Sequence, residues 1–253
     1  MDIIQILKDE LQINRSQAEA AVKLIDEGNT IPFIARYRKE ATGSLNDEVL
    51  RNLDERLKYL RNLEERKEQV INSIREQEKL TPELEKKILA ASTLVAVEDL
   101  YLPYRPKRKT RASIAKEKGL EPLANLVLMQ LTKTPLLKEA EHYISEEKGV
   151  LTAEEALNGA KDILAERIAE TAEYRTYIRK ATFQEGSLDS SARDGNAESV
   201  YEMYYNFTEP VKKAAGHRIL ALNRGEKEKI LTVKITAPEE KILRYLEKKV
   251  ITR

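Results

Sequence analysis

The densest run of like charges in the sequence lies between Asp99 and Glu117, where no acidic side chain interrupts the cations. Guanidinium and ammonium groups at this density suit contacts with nucleic-acid phosphates, which need charge but no particular base sequence. Tyr101 and Tyr104 precede these cations and offer rings on which bases could stack. The candidate phosphate-binding cations are Arg105, Lys107, Arg108, Lys109 and Arg111, called the basic stretch below.

The basic stretch has two alternative interpretations. Ten Asp and Glu residues lie between Glu139 and Glu173, and this acidic stretch could pair with the cations inside the folded protein. The cations could also form a solvated surface without a partner. Pro103 and Pro106 favour extended backbone, so the basic stretch is predicted to be a loop. A second basic region, residues 211–253, carries twelve Lys and Arg against five Glu.

Most catalytic and cofactor chemistry finds no support in the sequence. The chain has no Cys, and its two histidines, His142 and His217, are too far apart for a local metal motif. None of the nine glycines forms a phosphate-binding loop. Glu154 and Glu155 are either helix-capping residues or a catalytic pair. We therefore predict no enzymatic activity, no catalytic residue, no metal, no cofactor and no small-molecule substrate.

Composition indicates the elements that must position the basic stretch. Gly and Pro contribute only 9 and 8 of the 253 residues, which favours long helices over a β-sandwich or barrel. No apolar run approaches the roughly 18 residues that suggest a membrane span. The first residues do not have the form of a signal peptide. These features predict a cytoplasmic, mainly α protein that does not contact membranes.

Hydrophobic periodicity predicts the individual helices. Apolar residues spaced three and four apart form a seam on one long helix over residues 46–77, whose other face is charged. Near the N-terminus, Ser16 and Glu19 are predicted to cap a helix that stops at Gly28. The two short helices and the segment from Thr30 resemble a helix-turn-helix, or form a plain three-helix unit.

Later helix starts are predicted from capping residues. Thr81, Thr134 and Thr152 have the sequence context of N-caps, and the helix after Thr152 is predicted to run to about Arg179. The segment from Thr236 to Glu239 is predicted to cap a last helix that ends near Val250.

The C-terminal third has a weaker pattern. Residues 183–198, including Gly195 and Asn196, form a polar stretch typical of a mobile loop. Ile230–Ile235 is the single predicted strand, which either has a partner that the pattern does not reveal or belongs to something larger. The prediction is an elongated multi-helix scaffold with a helix-turn-helix-like unit at 1–45, a helical middle at 46–182 and a small α+β piece at 183–253.

Four segments resemble the bacterial Tex family of transcription accessory proteins, in the order in which that family carries them. They are Thr30–Gly43, Glu98–Ala112, Gly119–Ala124 and Gly216–Glu226. The resemblance implies the N-terminal helical part of a cytoplasmic protein that binds nucleic acid and influences transcription. Family members continue into a ribonuclease-H-like domain, helix-hairpin-helix elements and an OB-fold RNA-binding domain.

The resemblance leads to a functional prediction with two alternatives. We expect a non-catalytic platform that binds RNA or DNA weakly through the basic stretch, with Arg36, Arg38 and Lys39 as further candidate contacts. The first alternative is a protein–protein scaffold for the transcription or translation machinery, with nucleic acid bound only by the family's C-terminal domains. The second is a contribution to a nuclease, for which the sequence contains no acidic constellation.

Overall fold

The computed structural model of the chain describes residues 1–194 and 198–252, which form thirteen α-helices and three β-strands. The predicted mainly α fold with a small α+β piece is confirmed. The chain divides into two compact units, Met1–Tyr104 and Arg105–Arg253. The domain boundaries predicted at residues 45/46 and 182/183 stay predictions. No helix among the described residues is long and apolar enough to cross a membrane.

The first unit consists of six α-helices followed by a short 3-10 helix, Leu102–Tyr104. The α-helices are α1 (Ile3–Leu11), α2 (Arg15–Asp26), α3 (Ile31–Tyr37), α4 (Asp47–Glu76), α5 (Pro82–Ala90) and α6 (Leu94–Tyr101). The long helix predicted at residues 46–77 is therefore confirmed, and Asn46 caps it by accepting from the Val49 amide at 2.8 Å.

Helix α4 contributes to two separate hydrophobic clusters. Its N-terminal half buries Leu50, Leu53, Leu57 and Leu60 in a cluster that includes residues of α1, α2 and α3. Its C-terminal half buries Leu63, Val70, Ile71 and Ile74 in a cluster with residues of α5 and α6. Packing of this apolar seam, more than helix propensity, stabilises a helix of this kind.

Lys67 is a charged residue of α4 that does not lie on the predicted charged face. Its side chain is only 2% exposed, at the seam position between Leu63 and Val70. The ammonium donates to the Leu89 carbonyl oxygen at 2.9 Å and lies 2.9 Å from Glu64 Oε1. These two partners compensate for the burial of the charge.

The start of α2 also differs from the prediction. The N-cap is Asn14, not Ser16, and Gln17 accepts from the Asn14 amide at 2.9 Å to complete a capping box. The helix ends at Asp26, and Gly28 follows with a φ of +83°, as its predicted role as a terminator requires. A turn over residues 27–30 then leads into α3.

The described part of the second unit has seven α-helices, and its largest cluster of buried residues includes Ala156, Ala160 and Ile163 of the central helix. The helices are α7 (Arg111–Glu117), α8 (Glu121–Met129), α9 (Leu136–Glu141), α10 (Ala153–Glu170), α11 (Ala172–Glu185), α12 (Gly216–Lys227) and α13 (Glu239–Val250). Small residues allow close packing: a Cβ added at Gly159 would lie 2.4 Å from Leu120 Cδ1.

The continuous helix predicted from Thr152 to Arg179 is wrong. Thr152 is the N-cap as predicted, but α10 ends at Glu170 because Thr171 adopts an extended backbone conformation. Its hydroxyl donates to the Arg167 carbonyl oxygen at 2.8 Å, which satisfies one of the last acceptors of the helix. Helix α11 starts immediately afterwards, so two helices replace the predicted one.

Three strands form an antiparallel sheet in the order β2-β1-β3, with β1 (Ser187–Ala192), β2 (Asn206–Pro210) and β3 (Leu231–Thr236). The predicted strand therefore exists as β3, and the first of its two alternatives holds, because β3 pairs with a strand that the sequence pattern does not reveal. Its partner β1 lies in the stretch predicted to be a mobile loop, and that prediction is wrong for residues 183–192. Gly195 and Asn196 of the same prediction lie outside the described residues.

Polar residues form β1 because their side chains alternate between two environments. Leu188 and Ser190 are buried, and the Ser190 hydroxyl donates to the Tyr204 carbonyl oxygen at 2.5 Å. Asp189 lies on the opposite face, where it accepts from the hydroxyls of Ser187 at 2.8 Å and Thr236 at 2.6 Å. Hydrogen bonds between polar side chains thus take the place of an apolar pattern on this face.

One predicted cap is displaced along the chain. Helix α9 begins at Leu136 with Pro135 as its N-cap, one residue after the predicted Thr134. Helix α13 has its N-cap, Pro238, within the predicted segment from Thr236 to Glu239, of which Thr236 belongs to β3. The Thr81 cap is confirmed, since its hydroxyl accepts from the Leu84 amide at 3.2 Å.

Candidate nucleic-acid interface

The basic stretch lies at the start of the second unit. Residues 106–110 have no regular secondary structure, whereas Arg111 is already the first residue of α7. The Thr110 hydroxyl accepts from the Ser113 amide at 3.0 Å, and Ser113 Oγ accepts from the Thr110 amide at 2.8 Å. This reciprocal cap fixes the C-terminal end of the loop, so the predicted loop ends one residue before Arg111.

Lys107 and Lys116 are paired with carboxylates of α10. The Lys107 ammonium forms an ion pair with Glu170 and lies 3.6 Å from Glu166 Oε2. Lys116 lies 3.5 Å from the same oxygen, and the Thr110 hydroxyl donates to Glu166 Oε1 at 3.0 Å. Lys107 is therefore paired with the acidic stretch inside the protein, which is the alternative to phosphate binding raised in the sequence analysis.

Glu166 is the centre of this network. Partial burial raises the pKa of its carboxyl, but the Thr110 hydroxyl and the two lysine ammonium groups lower it by more. The net pKa is below the ordinary value of 4.5, so the ionised form is favoured in the folded protein. The network thus attaches the loop to α10 and leaves little positive charge of Lys107 for an external anion.

The other cations of the basic stretch are more available. Lys109 lies 3.4 Å from Glu117, and Arg111 lies 3.7 Å from Asp162. Both cations are largely exposed, so these ion pairs contribute little to the stability of the fold. Arg105 and Arg108 are also exposed. Neither arginine forms an ion pair with any other residue in the described ranges 1–194 and 198–252.

The two predicted stacking tyrosines belong to the hydrophobic core of the first unit. Tyr101 is 8% exposed, its hydroxyl lies 3.1 Å from Ser73 Oγ, and the Arg66 guanidinium lies 5.4 Å from its ring. Tyr104 is half-buried against the same cluster. The ring of Tyr101 is therefore largely covered by its neighbours, which disfavours stacking with a base, and its stacking role stays a prediction.

A second candidate surface lies at the C-terminal end of α3 in the first unit. Phe33 and Tyr37 are four residues apart on the helix, and their ring centroids are 5.2 Å apart at an angle of 45°. Tyr37 is 66% exposed, and the Arg38 guanidinium lies 5.4 Å from the Phe33 ring. We call residues 33–39 the α3 patch. It combines exposed rings with cations, which is the arrangement that suits bases and phosphates.

Hydrogen bonds hold the turn that follows the α3 patch. The fully buried Thr42 donates from its hydroxyl to the carbonyl oxygens of Arg38 at 3.2 Å and Lys39 at 3.3 Å. Gly43 has a φ of +58°, which favours glycine, and its carbonyl oxygen accepts from Gln17 Nε2 at 2.9 Å. The backbone is therefore fixed while the cationic side chains extend outward.

The cations of the α3 patch lack charged partners. Arg36, Arg38 and Lys39 are all exposed, and none forms an ion pair with another residue in the part of the chain that the structure describes. Together with Tyr37, Glu40 and Ala41 they line a concavity of about 400 Å³, in which three cations face one carboxylate. This distinguishes them from Lys107, whose charge is already paired.

The sequence singled out the three cations of the α3 patch but not Phe33 and Tyr37. Their four-residue spacing could have been noticed, because residues at that spacing share one face of a helix. No group of His, Asp and Glu among the described residues could hold a metal ion, and the absence of a cofactor stays a prediction.

Two family models match the chain. The model described as the Tex-like protein N-terminal domain covers residues 1–75, and the one described as Tex central region-like covers residues 132–252. The first match contains the α3 patch. The second contains α10 with the acidic partners of the basic stretch, as well as the sheet and the last two helices.

Several longer proteins are similar to this chain. "Uncharacterized protein YdcI" of Bacillus subtilis is 48% identical over 98% of this chain and 35% of its own length. "Transcriptional accessory protein Tex" of Neisseria gonorrhoeae is 44% identical over 92% of this chain and 31% of its own. "S1 RNA-binding domain-containing protein 1" of Homo sapiens is 31% identical over 92% of this chain and 24% of its own length. The chain thus spans about a third or less of each relative.

Proposed function

The chain belongs to the Tex-like protein family, and from that membership we propose that it is the N-terminal platform of a transcription accessory protein that binds nucleic acid without catalysing a reaction. The resemblance inferred from four sequence segments is confirmed by the matches. Two relatives carry supporting names, one a transcriptional accessory protein and one an S1 RNA-binding domain-containing protein. A cytoplasmic location is part of the proposal.

The observation that carries this proposal is the α3 patch. Tyr37 offers an exposed ring, and Arg36, Arg38 and Lys39 offer positive charge that forms no ion pair among the described residues. Stacking on aromatic rings tolerates any base, and cation–phosphate contacts are likewise independent of sequence. The patch is therefore suited to single-stranded nucleic acid without sequence preference.

The basic stretch has a secondary part in this proposal. Arg105 and Arg108 are exposed cations suited to phosphate contacts, and Lys109 and Arg111 could exchange weak surface pairs for such contacts. Lys107 is assigned a structural role, because binding a phosphate would require it to leave Glu170. The proposal thus moves the main contact from the predicted loop to α3.

The expected affinity is low. Non-specific binding through a few phosphate contacts gives a Kd of roughly 10⁻⁴ to 10⁻⁶ M at physiological salt. For single-stranded nucleic acid, a plot of log affinity against log salt concentration has a slope of about −0.7 for each phosphate that is neutralised. Three engaged cations would therefore give a slope of about −2.

Fluorescence anisotropy with a labelled single-stranded RNA, and with DNA of the same sequence, tests the proposal. Tyr37→Ala removes a ring and should weaken binding with little change in the salt slope. The double change Arg36→Ala/Arg38→Ala should weaken binding and also make the slope shallower by about 1.4, since two phosphate contacts are lost. Lys86→Ala/Lys87→Ala is the matched control, because it removes two exposed cations of the same unit from α5.

Two results would contradict the proposal. Equal losses in the α3 variants and the α5 control would mean that only overall charge matters. Unchanged binding in both α3 variants would exclude the α3 patch as the contact surface. Melting temperatures of all variants verify that the changes leave the fold intact.

The second candidate function is a protein-binding platform for the transcription or translation machinery, with nucleic acid bound elsewhere in the longer family members. One observation favours it. An apolar groove of about 510 Å³ in the second unit is lined by residues of α8 and α10, among them Val127, Leu164 and Ile168, and by Ile251. If the chain binds no nucleic acid at low salt, this candidate replaces the first.

A further inference from the structure

Helix α12 buries one face and exposes the other. Arg218, Leu222 and Gly225 point toward the sheet: Leu222 is 1% exposed, Arg218 forms an ion pair with Glu209 of β2, and a Cβ at Gly225 would lie 2.6 Å from Leu231 Cδ1. The opposite face carries His217, Leu220, Arg224 and Lys227, all exposed. These positions follow the i, i+3, i+7 spacing of one helical stripe.

The exposed part of α12 has an aliphatic centre, more cations than carboxylates, and Glu226 as its single acidic residue. Leu220 is 72% exposed, and the adjacent Ile219 is 40% exposed. Lys227 lies two turns beyond Leu220, and Lys212 and Lys213 lie in the short 3-10 helix just before α12. None of these three lysines has an ion-pair partner within residues 1–194 and 198–252.

We propose that this face of α12 binds an acidic amphipathic segment of a partner protein, with Leu220 inserted among the partner's apolar side chains and the surrounding lysines paired with its carboxylates. Positive charge around an aliphatic centre complements negative charge around an apolar stripe. This surface and partner class are independent of the nucleic-acid contact proposed for the α3 patch.

Chemistry distinguishes this surface from a nucleic-acid site. The α3 patch has exposed rings, whereas Tyr201 and Tyr204 are buried in the core of the small α+β piece, and Tyr205 and Phe207 are partly buried against that core. A leucine side chain provides no flat face for a base and gains nothing from a phosphate. Burying Leu220 against apolar side chains would instead remove exposed aliphatic surface from water, which is favourable.

The probe for this proposal is a synthetic helical peptide with leucines at i, i+3, i+4 and i+7 and glutamates on both sides of that stripe. Its control has lysines in place of the glutamates. Titration of the isotope-labelled chain, followed by amide chemical shifts, should move α12 resonances with the acidic peptide and not with the basic one. Anisotropy of the labelled peptide gives the affinity.

Two variants test the two parts of the surface. Leu220→Ser should weaken binding of the acidic peptide about tenfold, as for a central anchor residue. Lys212→Glu/Lys213→Glu should weaken it similarly and remove most of its salt dependence. Leu243→Ser is the matched control, because Leu243 is a 57% exposed leucine of α13 in the same unit, and its variant should bind normally.

Three results would overturn the proposal. They are absence of binding by the acidic peptide, equal affinities for Leu220→Ser and the unmodified chain, and shifts in α12 caused by single-stranded RNA but not by the peptide. The last result would assign the lysines to nucleic acid. Because Leu220 is exposed, its replacement should leave the melting temperature unchanged, which separates lost binding from lost folding.

Discussion

Lys107 of the basic stretch is paired with Glu170 of α10, and the two side chains are only 27% and 15% exposed. A cation that the sequence places in an unbroken positive run is thus partly withdrawn from solvent by a carboxylate 63 residues further along the chain. The position of a charge in the sequence therefore does not decide whether that charge is available to a ligand.

This pairing predicts different effects for two neighbouring cations. Lys107→Ala leaves Glu170 and Glu166 partly buried with fewer partners, so it should lower the free energy of unfolding by about 1 kcal/mol. Arg108→Ala removes an exposed cation without an ion pair in the described residues and should change stability by less than about 0.5 kcal/mol. Urea denaturation of both variants measures the difference, and equal losses would contradict the structural role of Lys107.

Stability should depend on pH through Glu166. Its pKa is lowered in the folded protein, so its contribution is fully present above the ordinary value of 4.5 and disappears as the pH falls through the lower folded-state pKa. In Glu166→Gln that contribution is missing at every pH. The variant should therefore be less stable than the unmodified chain near neutral pH.

The same argument predicts convergence of the two proteins in acid. The difference in unfolding free energy between Glu166→Gln and the unmodified chain should shrink below about pH 4.5, as the carboxyl becomes neutral. Urea titrations over a series of pH values measure it. A difference that stays constant over the whole range would show that the loss comes from altered packing and not from the charge.

Close packing predicts that Gly225 cannot be replaced without cost. A Cβ there would lie 2.6 Å from Leu231 Cδ1 and 2.9 Å from Leu231 Cγ, so α12 and β3 must move apart. We expect Gly225→Ala to lose about 1–3 kcal/mol, despite the better helix propensity of alanine. Gly216→Ala in the same helix is the control, because no atom lies within 4 Å of its added Cβ, and it should be neutral or slightly stabilising.

The sheet predicts the order of hydrogen exchange in the small α+β piece. Strand β1 is paired on both sides, whereas β2 and β3 each have one unpaired edge among the described strands. Amides of Leu188–Ser191 should therefore exchange more slowly than those at the outer edges of β2 and β3. Fast exchange throughout β1 would support the mobile loop that the sequence suggested.

The sequence predicted elements well where one side of a helix is apolar. The α4 seam was recognisable because leucines at three- and four-residue spacings have no other simple explanation. The sequence pattern does not reveal strand β1, because Asp189 accepts hydrogen bonds there from Ser187 and Thr236. Thr236 lies 47 residues away from Asp189 in the sequence. The break between α10 and α11 at Thr171 could not be predicted, because neither Gly nor Pro stands at that position.

The candidate site shows the same limit. Composition identified clusters of cations, but not which of them the fold neutralises. Lys67 lies in a run of charged residues in the sequence, but in the structure its side chain is buried between Leu63 and Val70. Conversely, Tyr101 looked available for stacking but belongs to the core. These outcomes depend on contacts between distant parts of the chain, which local patterns do not encode.

We expect helix α4 to couple two hydrophobic clusters into one cooperative folding unit, because it contributes buried residues to both. Its 30 residues extend for about 45 Å, and the helical segment from Leu60 to Leu63 joins the two clusters. Each cluster therefore nucleates helix that the other can extend, and the cost of helix initiation is incurred once. In the first unit, one continuous helix therefore serves both clusters, so the second cluster does not require a separate helix initiation step.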